Sequence, residues 1–277
     1  MEDNMDRAEW LAKRRDSLGA SEVAAVCGLD PFKSAWDIWA VKKGYRQETE
    51  SDAGEMGNRI EPVLLQWYAD KTGRTLRQVG TLRHPGEKWA SATPDAVAPS
   101  LDVQAKVVGA RMLHRWDDGP PHYVHAQVGW EMWVAELPAA EVVALLGGTD
   151  PQIFPVARNE ELISYLVEIC SRWWRDHVIG DVPPEVDGSE AARLALQGRF
   201  PSATAGMAEA VPEFIAMARE YEHLGDELGD LKEKRESIGN AMRLAIGDRA
   251  GLYWPGGRVS WKHTSAGQRP LRVYIKE

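Results

Sequence analysis

Hydrophobic side chains recur along this chain with two spacings, three to four residues in some segments and two in others. In the segment that begins at Gly57, the apolar positions follow a three-four spacing that predicts a helix with one face on a core. Those positions are Ile60, Val63, Leu64, Trp67 and Tyr68. Glu61 lies on the shoulder of this face, so we expect it to be half-turned toward the interior.

Other segments share the helical spacing. Two short helices are predicted between residues 17 and 44, separated by a Gly-Leu-Asp-Pro turn, with Ser21 and Ser34 as N-caps. Further helices are predicted at residues 6–15, 121–136 and 160–178. The helix at 121–136 is rich in aromatic residues, and the polar Gln127 lies between apolar neighbours, so it must find partners if it is buried.

The two-residue spacing predicts strands. Three apolar runs separated by Gly and Pro suggest an antiparallel meander, namely Thr75–Leu82, Trp89–Thr93 and Leu101–Val108. Two more strands are predicted at residues 141–148 and 152–157. Runs of strands and runs of helices along the chain indicate an α+β protein.

The last quarter of the chain has a different pattern. Apolar residues form a heptad seam, which is defined by Phe214, Met217, Tyr221, Leu224, Leu228, Leu231, Ile238 and Met242. The seam predicts a long helix, either packed on its own domain or serving as an oligomerisation arm. A locally basic β-hairpin is predicted after it. We therefore divide the chain into a core at residues 1–200 and a C-terminal arm with its hairpin at residues 206–277.

Composition narrows the function only slightly. The 277 residues are 44% hydrophobic and 27% charged, as in ordinary globular proteins, and the net charge of −9 argues against nonspecific coating of nucleic acid. Two cysteines give neither a disulfide framework nor a cysteine metal cluster. The acidic N-terminus is unlike a signal peptide, and no apolar run approaches the ~20 residues of a membrane span, so we expect a cytoplasmic protein.

Candidate chemistry lies in the stretch TPDAVAPSLDVQAKVV, residues 93–108. Hydrolysis of a phosphodiester needs an activated water and neutralisation of charge, which hard cations held by oxygen ligands can provide. Residues two apart on a strand face the same way, so Gln104 and Lys106 should point together toward Asp95. Taken alone this spacing is a weak signal, because Asp95 could be a turn residue and Lys106 a solvated one.

An ordered set of further motifs makes the pattern more specific. The pieces are RRDSLGASEVAAVCGLDPFKSAWDIW, GNRIEPVLLQWYADKTG, ASATPDAV, LDVQAKVV and HRWDDGPPHYVHAQVGWEMWV. In this order they resemble the YqaJ-type phage recombination exonucleases, relatives of bacteriophage lambda exonuclease within the PD-(D/E)xK nuclease superfamily. The resemblance covers roughly residues 10–180 and implies an α/β/α restriction-endonuclease-like core with a central mixed sheet.

The resemblance implies roles for individual residues. Asp95 and Gln104 would bind Mg²⁺, with Mn²⁺ as a substitute, and the carbonyl of Ala105 would complete the ligands. Glu61 would serve a second cation or its waters. Lys106 would position the attacking water, and Gln127 would brace the cluster. Residues expected to hold the 5′-terminal phosphate are Arg14 or Arg15, Ser21 and Thr93, with Arg111 or Arg115 as a further contact.

Gln104 departs from the family pattern, which has an acid at this position. An amide oxygen can coordinate Mg²⁺ but brings no charge, and two opposite charges ~4 Å apart interact by about 4 kcal/mol at an effective dielectric of 20. We hypothesise that the active form carries Glu here and that the present sequence is impaired. An active variant with Gln is the alternative.

The leading functional hypothesis is a Mg²⁺-dependent 5′-to-3′ exonuclease on double-stranded DNA ends with 5′ phosphates. It would leave 3′ single strands for a phage annealing protein, act as a homo-oligomer (a trimer in lambda-type enzymes) and work in the host cytoplasm. The second hypothesis is a non-catalytic module that binds DNA ends or a partner, which Gln104 favours. A structural coiled-coil protein fits only the last quarter of the chain.

Overall fold

A computed structural model describes residues 15–46, 51–203, 206–264 and 267–276. The chain divides into two compact units, Met1–Ala203 and Thr204–Glu277, and each is described by itself. The helix predicted at residues 6–15 lies almost entirely outside the described residues, as does Arg14.

The secondary structure of the described residues begins with a short strand, followed by three helices and then by four strands. The helices are α1 (Ala20–Val26), α2 (Ala35–Lys42), α3 (Asp52–Thr72), α4 (His122–Val134), α5 (Glu160–Trp173), α6 (Glu190–Arg199) and α7 (Pro212–Ile246). The strands are β1 (Leu18–Gly19), β2 (Leu82–Arg83), β3 (Ala90–Ala92), β4 (Ala96–Ala98), β5 (Leu101–Val108), β6 (Ala139–Leu146), β7 (Asp150–Ala157), β8 (Gly251–Trp254), β9 (Gly257–Trp261) and β10 (Leu271–Ile275). A 3₁₀ helix at Ala110–Arg115 follows β5, and a π-helical turn at Trp174–Ile179 extends α5.

The central sheet has the strand order β4-β5-β6-β7. β5 and β6 run parallel, with Gln104 opposite Val142, whereas the two outer pairs are antiparallel. Parallel neighbours need a crossover, and α4 provides it between the two strands. This mixed sheet with helices on both sides confirms the predicted α+β fold class.

Different helices cover the two faces of β5, because successive side chains on a strand point to opposite sides. On one face, Val103 lies in a buried cluster with Leu64 and Tyr68 of α3. On the other face, Val108 lies in a cluster with Val128 of α4. Residues of β5 with even numbers therefore face α4, and this parity positions the candidate chemistry.

The long helix α3 begins earlier than predicted. Its first residue is Asp52, and the Oγ of Ser51 accepts a hydrogen bond from the backbone N–H of Gly54 at 3.1 Å. Leu64 is buried as expected, but Val63 is 70% exposed. The buried face is centred on Leu64 and the neighbouring Leu65, which turns Val63 toward solvent.

The predictions for the N-caps of α1 and α2 had different outcomes. Ser21 does not cap α1, because the helix begins one residue before it, with Gly19 as N-cap. The backbone N–H of Gly19 instead donates to the Glu22 carboxylate at 2.7 Å. Ser34 does cap α2, and its Oγ accepts from the backbone N–H of Asp37 at 3.4 Å.

The predicted three-stranded meander is wrong. β3 belongs to a separate sheet of order β1-β3-β2, whereas β4 and β5 belong to the central sheet. The chain leaves one sheet and enters the other at Pro94, which has no N–H to donate to a strand neighbour. Within Thr75–Leu82, the structure shows one isolated bridge, Arg77 to Val97, before β2 begins at Leu82.

The C-terminal unit contains the predicted long helix, α7, and an antiparallel sheet of order β10-β9-β8. The predicted hairpin corresponds to β9 and β10, and β8 adds a third strand that was missed. Along α7 most of the heptad seam is exposed, as at Tyr221, Leu228 and Leu231. None of the helices in the described ranges has the length and apolar character needed to cross a bilayer.

Candidate active site

Asp95 sits in the turn between β3 and β4, against the middle of β5. Its Oδ2 accepts hydrogen bonds from the backbone N–H of Ala105, at 2.8 Å, and from the side-chain Nε2 of Gln104. Burial raises the pKa of Asp95, while the charge of Lys106 and these two hydrogen bonds act in the opposite direction. The carboxylate is thereby fixed beside the predicted cluster.

Lys106 contacts α4 through a short polar chain. Its Nζ donates to Oε1 of Gln127 at 2.9 Å, and Nε2 of Gln127 donates to Oε1 of Glu131 at 3.0 Å. Gln127 and Glu131 are one helical turn apart and therefore lie on the same face of α4. Since an ammonium group can only donate, it fixes which end of the Gln127 amide faces Lys106.

Gln104 is 3% exposed and faces the same side of the sheet as Lys106. Its amide nitrogen faces Asp95, and its oxygen, Oε1, is buried without a hydrogen-bond partner among the described residues. A buried carbonyl oxygen without a partner is uncommon in folded proteins. The unpaired oxygen is therefore available as a ligand for a cation.

Sequence reasoning missed two buried acids beside these residues, Asp102 and Glu131. Asp102 is 0% exposed and Glu131 is 1% exposed. Burial raises the pKa of Asp102 to about 7, and burial together with the charge of Asp102 raises the pKa of Glu131 well above its usual range. Two desolvated carboxyls in contact resist being ionised together, so the pair shares a proton or faces a cation.

Glu61 approaches the cluster from α3 and is half-buried. Burial and the charge of Asp95 raise the pKa of Glu61, and the charge of Lys106 lowers it. These influences show that Glu61 is within electrostatic reach of both residues. The structure thus brings Glu61, Asp95, Gln104, Lys106 and Gln127 to one place.

The donors at this place suit a hard divalent cation, which prefers carboxylate and carbonyl oxygens. Within the part of the chain that the structure describes, no three Asp, Glu, His or Cys side chains converge closely enough to hold a metal. The carboxylates of Asp95 and Glu61 would therefore need the amide oxygen of Gln104 and a backbone carbonyl, such as that of Ala105, beside them. The unpaired Gln104 oxygen is the observation that carries this fit.

A cavity of about 300 Å³ adjoins the cluster. Hydroxyl groups dominate its polar lining, which comprises Ser17, Ser21, Thr81, Ser91, Thr93, Arg83, Glu22, Gln127 and Glu131. Ser21 and Thr93, both expected at a phosphate site, thus line the same cavity, and Thr93 Oγ1 lies 3.0 Å from Thr81 Oγ1. Gln127 also lines this cavity and accepts the hydrogen bond from Lys106.

The arginines expected at the phosphate site are placed differently. The guanidinium of Arg15 lies against Gly44, whereas Arg111 and Arg115 are exposed on the 3₁₀ helix after β5. None of the three lines the cavity, and Arg14 lies outside the described residues. The arginine on the cavity wall is Arg83, which no motif had indicated; its Nη1 donates to the carbonyl of Lys88 at 2.8 Å.

Known proteins are similar to this chain in sequence. Over 275 residues the chain is 26% identical to the YqaJ protein of Bacillus subtilis (strain 168), covering 93% of this chain and 84% of that protein. It is 27% identical over 146 residues to protein R354 of Acanthamoeba polyphaga mimivirus, covering 47% of this chain and 27% of that protein.

The fold matches that of a solved exonuclease. The crystal structure of LHK-Exo, an alkaline exonuclease from Laribacter hongkongensis, in complex with dAMP aligns with a TM-score of 0.53 and 18% identity. The alignment covers 63% of this chain and 93% of that chain. The family model described as the YqaJ-like viral recombinase domain matches residues 9–138. These matches confirm the resemblance seen in the motifs, which the family model places within residues 9–138.

Proposed function

We propose that this protein is a metal-dependent exonuclease that acts on double-stranded DNA ends during phage recombination, degrading from 5′ to 3′. The observation that carries the proposal is the convergence of Asp95, Gln104, Lys106 and Gln127 at one end of a hydroxyl-lined cavity. The match to the YqaJ-like domain and the exonuclease fold support a nuclease. The direction of degradation and the metal requirement rest on the resemblance.

Each residue has a chemical role in this proposal. Asp95, Glu61 and the oxygens of Gln104 and Ala105 would hold one or two Mg²⁺ ions, with Mn²⁺ as a substitute. When bound, such an ion lowers the pKa of water and neutralises charge on the phosphate. The ammonium of Lys106 orients the attacking water and stabilises the negative charge that develops on the phosphate oxygens. Gln127 keeps that ammonium in place through its 2.9 Å hydrogen bond.

The test is degradation of linear duplex DNA labelled at its 5′ ends. With Mg²⁺ we expect release of nucleotides from the 5′ end and accumulation of 3′ single strands, and EDTA should stop both. Circular duplex DNA, which has no ends, is the matched control. Cleavage of the circle, or shortening of the strands from their 3′ ends while the 5′ label is retained, would contradict the proposal.

The cavity makes a second prediction about the 5′ phosphate. Hydrogen bonds to charged groups contribute about 1.5–3 kcal/mol, so Arg83→Gln should reduce the preference for 5′-phosphate over 5′-hydroxyl ends by roughly tenfold or more. Thr93→Val, which removes one hydroxyl at constant volume, should reduce it less. The measurement is the ratio of initial rates on the two substrates.

Arg172, which is exposed on α5, provides the control for that experiment. Arg172→Gln removes the same charge away from the cavity and should leave the ratio unchanged. Because Arg83 also binds the backbone at Lys88, the melting temperature of each variant must be compared. A ratio that is unaffected in both Arg83→Gln and Thr93→Val would exclude this cavity as the phosphate site.

The alternative function is a non-catalytic module that binds DNA ends. The neutral Gln104 beside Asp95 favours it, because the site then lacks one of the charges that attract a divalent cation. Such a module would bind linear duplex DNA with a salt-dependent affinity and release no nucleotides under any metal condition. That combination of results would replace the nuclease proposal.

The remaining expectations concern partners. Self-association into a homo-oligomer and cooperation with a single-strand annealing protein stay predictions. The exposed heptad seam of α7 is the surface that supports the first of them, because exposed apolar rows of this spacing pair in coiled coils.

A further inference from the structure

The three-stranded sheet of the C-terminal unit has no role in the proposed function. Residues 255–277 contain five Lys or Arg residues and one acid, in a chain whose net charge is −9. The three strands, which the structure describes in full, contain two arginines and no Asp or Glu. A local excess of positive charge attracts phosphate groups even when the protein as a whole is acidic.

One face of this sheet rests on α7. Val259 of β9 is paired with Val273 of β10 and is only 7% exposed. Leu271 points to the same side as Val273, and a Cβ added at Gly239 of α7 would lie 3.7 Å from its Cδ2. Because successive side chains on a strand point to opposite faces, the even-numbered residues of β9 and β10 face away from α7.

An aromatic and basic row crosses the face that points away from α7. Arg258 of β9 is paired with Tyr253 of β8 on one side and with Tyr274 of β10 on the other. The guanidinium carbon of Arg258 lies 4.8 Å from the centre of the Tyr274 ring. Tyr253 is 90% exposed and Tyr274 is 46% exposed. The two rings and the guanidinium thus form one continuous exposed surface.

Along β10 the same face alternates between basic and aromatic side chains. Arg272, Tyr274 and Lys276 are two residues apart, and all three are exposed. The backbone N–H of Lys276 donates to the carbonyl of Gly256 at 2.7 Å, so the pairing of β10 with the neighbouring turn continues to this residue. This alternation suits a single strand of nucleic acid, because cations bind its phosphates and aromatic rings stack on its unpaired bases.

We propose that the outward face of the C-terminal sheet binds single-stranded DNA without sequence preference. The residues that form this binding face are Tyr253, Arg258, Arg272, Tyr274 and Lys276. A duplex keeps its bases stacked on one another, so the exposed rings favour the single strand. Single strands are what the proposed degradation leaves, so the inference goes beyond the proposed function to its product, but the binding itself requires no cleavage.

The test is the affinity of the full-length protein for a fluorescent oligothymidylate, measured by anisotropy in EDTA so that metal-dependent cleavage is prevented. The oligothymidylate has about 20 nucleotides, more than the ~4–16 that one OB fold covers. Tyr253→Ala should weaken binding at least fivefold, because the stacking of one base is lost, whereas Tyr253→Phe keeps the ring and should bind like the parent. Arg272→Gln should weaken binding and reduce the slope of log affinity against log salt concentration by about 0.7, the value for one phosphate contact on a single strand.

Matched controls for both substitutions lie on α7, in the same unit. Tyr221 is 83% exposed, close to the 90% of Tyr253, but its neighbours in the sequence are Glu220 and Glu222. Tyr221→Ala should leave the affinity unchanged. Arg235→Gln, at an exposed position of the same helix, should leave both the affinity and the salt slope unchanged. All variants should keep the melting temperature of the parent, because the substituted side chains are exposed.

Two results would overturn the inference. The first is that Tyr253→Ala and Arg272→Gln bind the oligothymidylate as tightly as the parent does. The second is that relaxed circular duplex DNA competes for the labelled strand as well as unlabelled oligothymidylate does at equal nucleotide concentration. The face would then bind backbone charge alone, and the assignment to single strands would be wrong.

Degradation of linear duplex DNA with Mg²⁺ tests the nuclease separately. Weakened single-strand binding in Tyr253→Ala and Arg272→Gln, without degradation by the parent, rejects the nuclease and keeps the single-strand binding face. Degradation by the parent, with unchanged single-strand binding in both variants, rejects the binding face and keeps the nuclease.

Discussion

Asp95→Asn is expected to lower Mg²⁺-dependent degradation of duplex DNA by roughly a thousandfold. Asp95 is the carboxylate held directly against β5 by Ala105 and Gln104. Replacing one ligand charge near a cation removes about 4 kcal/mol at 4 Å and an effective dielectric of 20, and each 1.36 kcal/mol is a factor of ten in rate. The measurement is the initial rate of nucleotide release at saturating DNA.

Folding should not limit that experiment. Burial already raises the pKa of Asp95, so the neutral isostere suits its surroundings, and we expect a melting temperature equal to or above that of the parent. Asp70→Asn makes the same substitution at an exposed position of α3 and should keep full activity. If Asp95→Asn retains more than a tenth of the parent rate, Asp95 does not hold the catalytic cation.

Gln104→Glu is expected to make the melting temperature of the protein depend strongly on Mg²⁺. Without metal, a second carboxylate next to Asp95 replaces a hydrogen bond with repulsion of up to about 4 kcal/mol, so the melting temperature in EDTA should fall by several degrees. With Mg²⁺ the added charge becomes a ligand, and the melting temperature should rise above that of the parent. Degradation of DNA should accelerate in parallel.

A Gln–Asp pair on the protein surface provides the control for this dependence on Mg²⁺. Gln66 Nε2 donates to Oδ1 of Asp70 at 2.8 Å on the exposed side of α3, which repeats the Gln–Asp contact of the site in solvent. Gln66→Glu should change the melting temperature little, because solvent screens the two charges, and should show no dependence on Mg²⁺. Equal responses of Gln66→Glu and Gln104→Glu would show that position 104 is not part of a cation site.

The placement of Asp95 beside β5 follows from local rules that the sequence displays. Pro94 ends β3, and the alternation of side chains along β5 turns Gln104 and Lys106 the same way. The helix that carries Gln127 is equally visible, because Gln127 lies between apolar residues of an aromatic-rich segment. Such features depend on a few neighbouring residues, which is why they could be predicted.

Features that depend on contacts between distant segments could not be predicted in this way. β2 has two residues, which are too few to show a hydrophobic periodicity. No sequence pattern therefore indicated that Arg83 lines the cavity. Asp102 and Glu131 each look like an isolated acid in an apolar segment. Asp102 lies two residues before Gln104, and Glu131 lies four residues after Gln127. These spacings become informative only once β5 and α4 are known to face each other.

Gln127 contributes to the cavity wall and binds Lys106 with the same short side chain. Under the proposed function, a substitution at this position would therefore change both the binding of a DNA end and the orientation of the Lys106 ammonium. The affinity for a DNA end and the rate of turnover would then change together at position 127. Substitutions at Arg83 or Thr81, which line the same cavity, would change the binding of a DNA end while leaving the hydrogen bond of Lys106 in place.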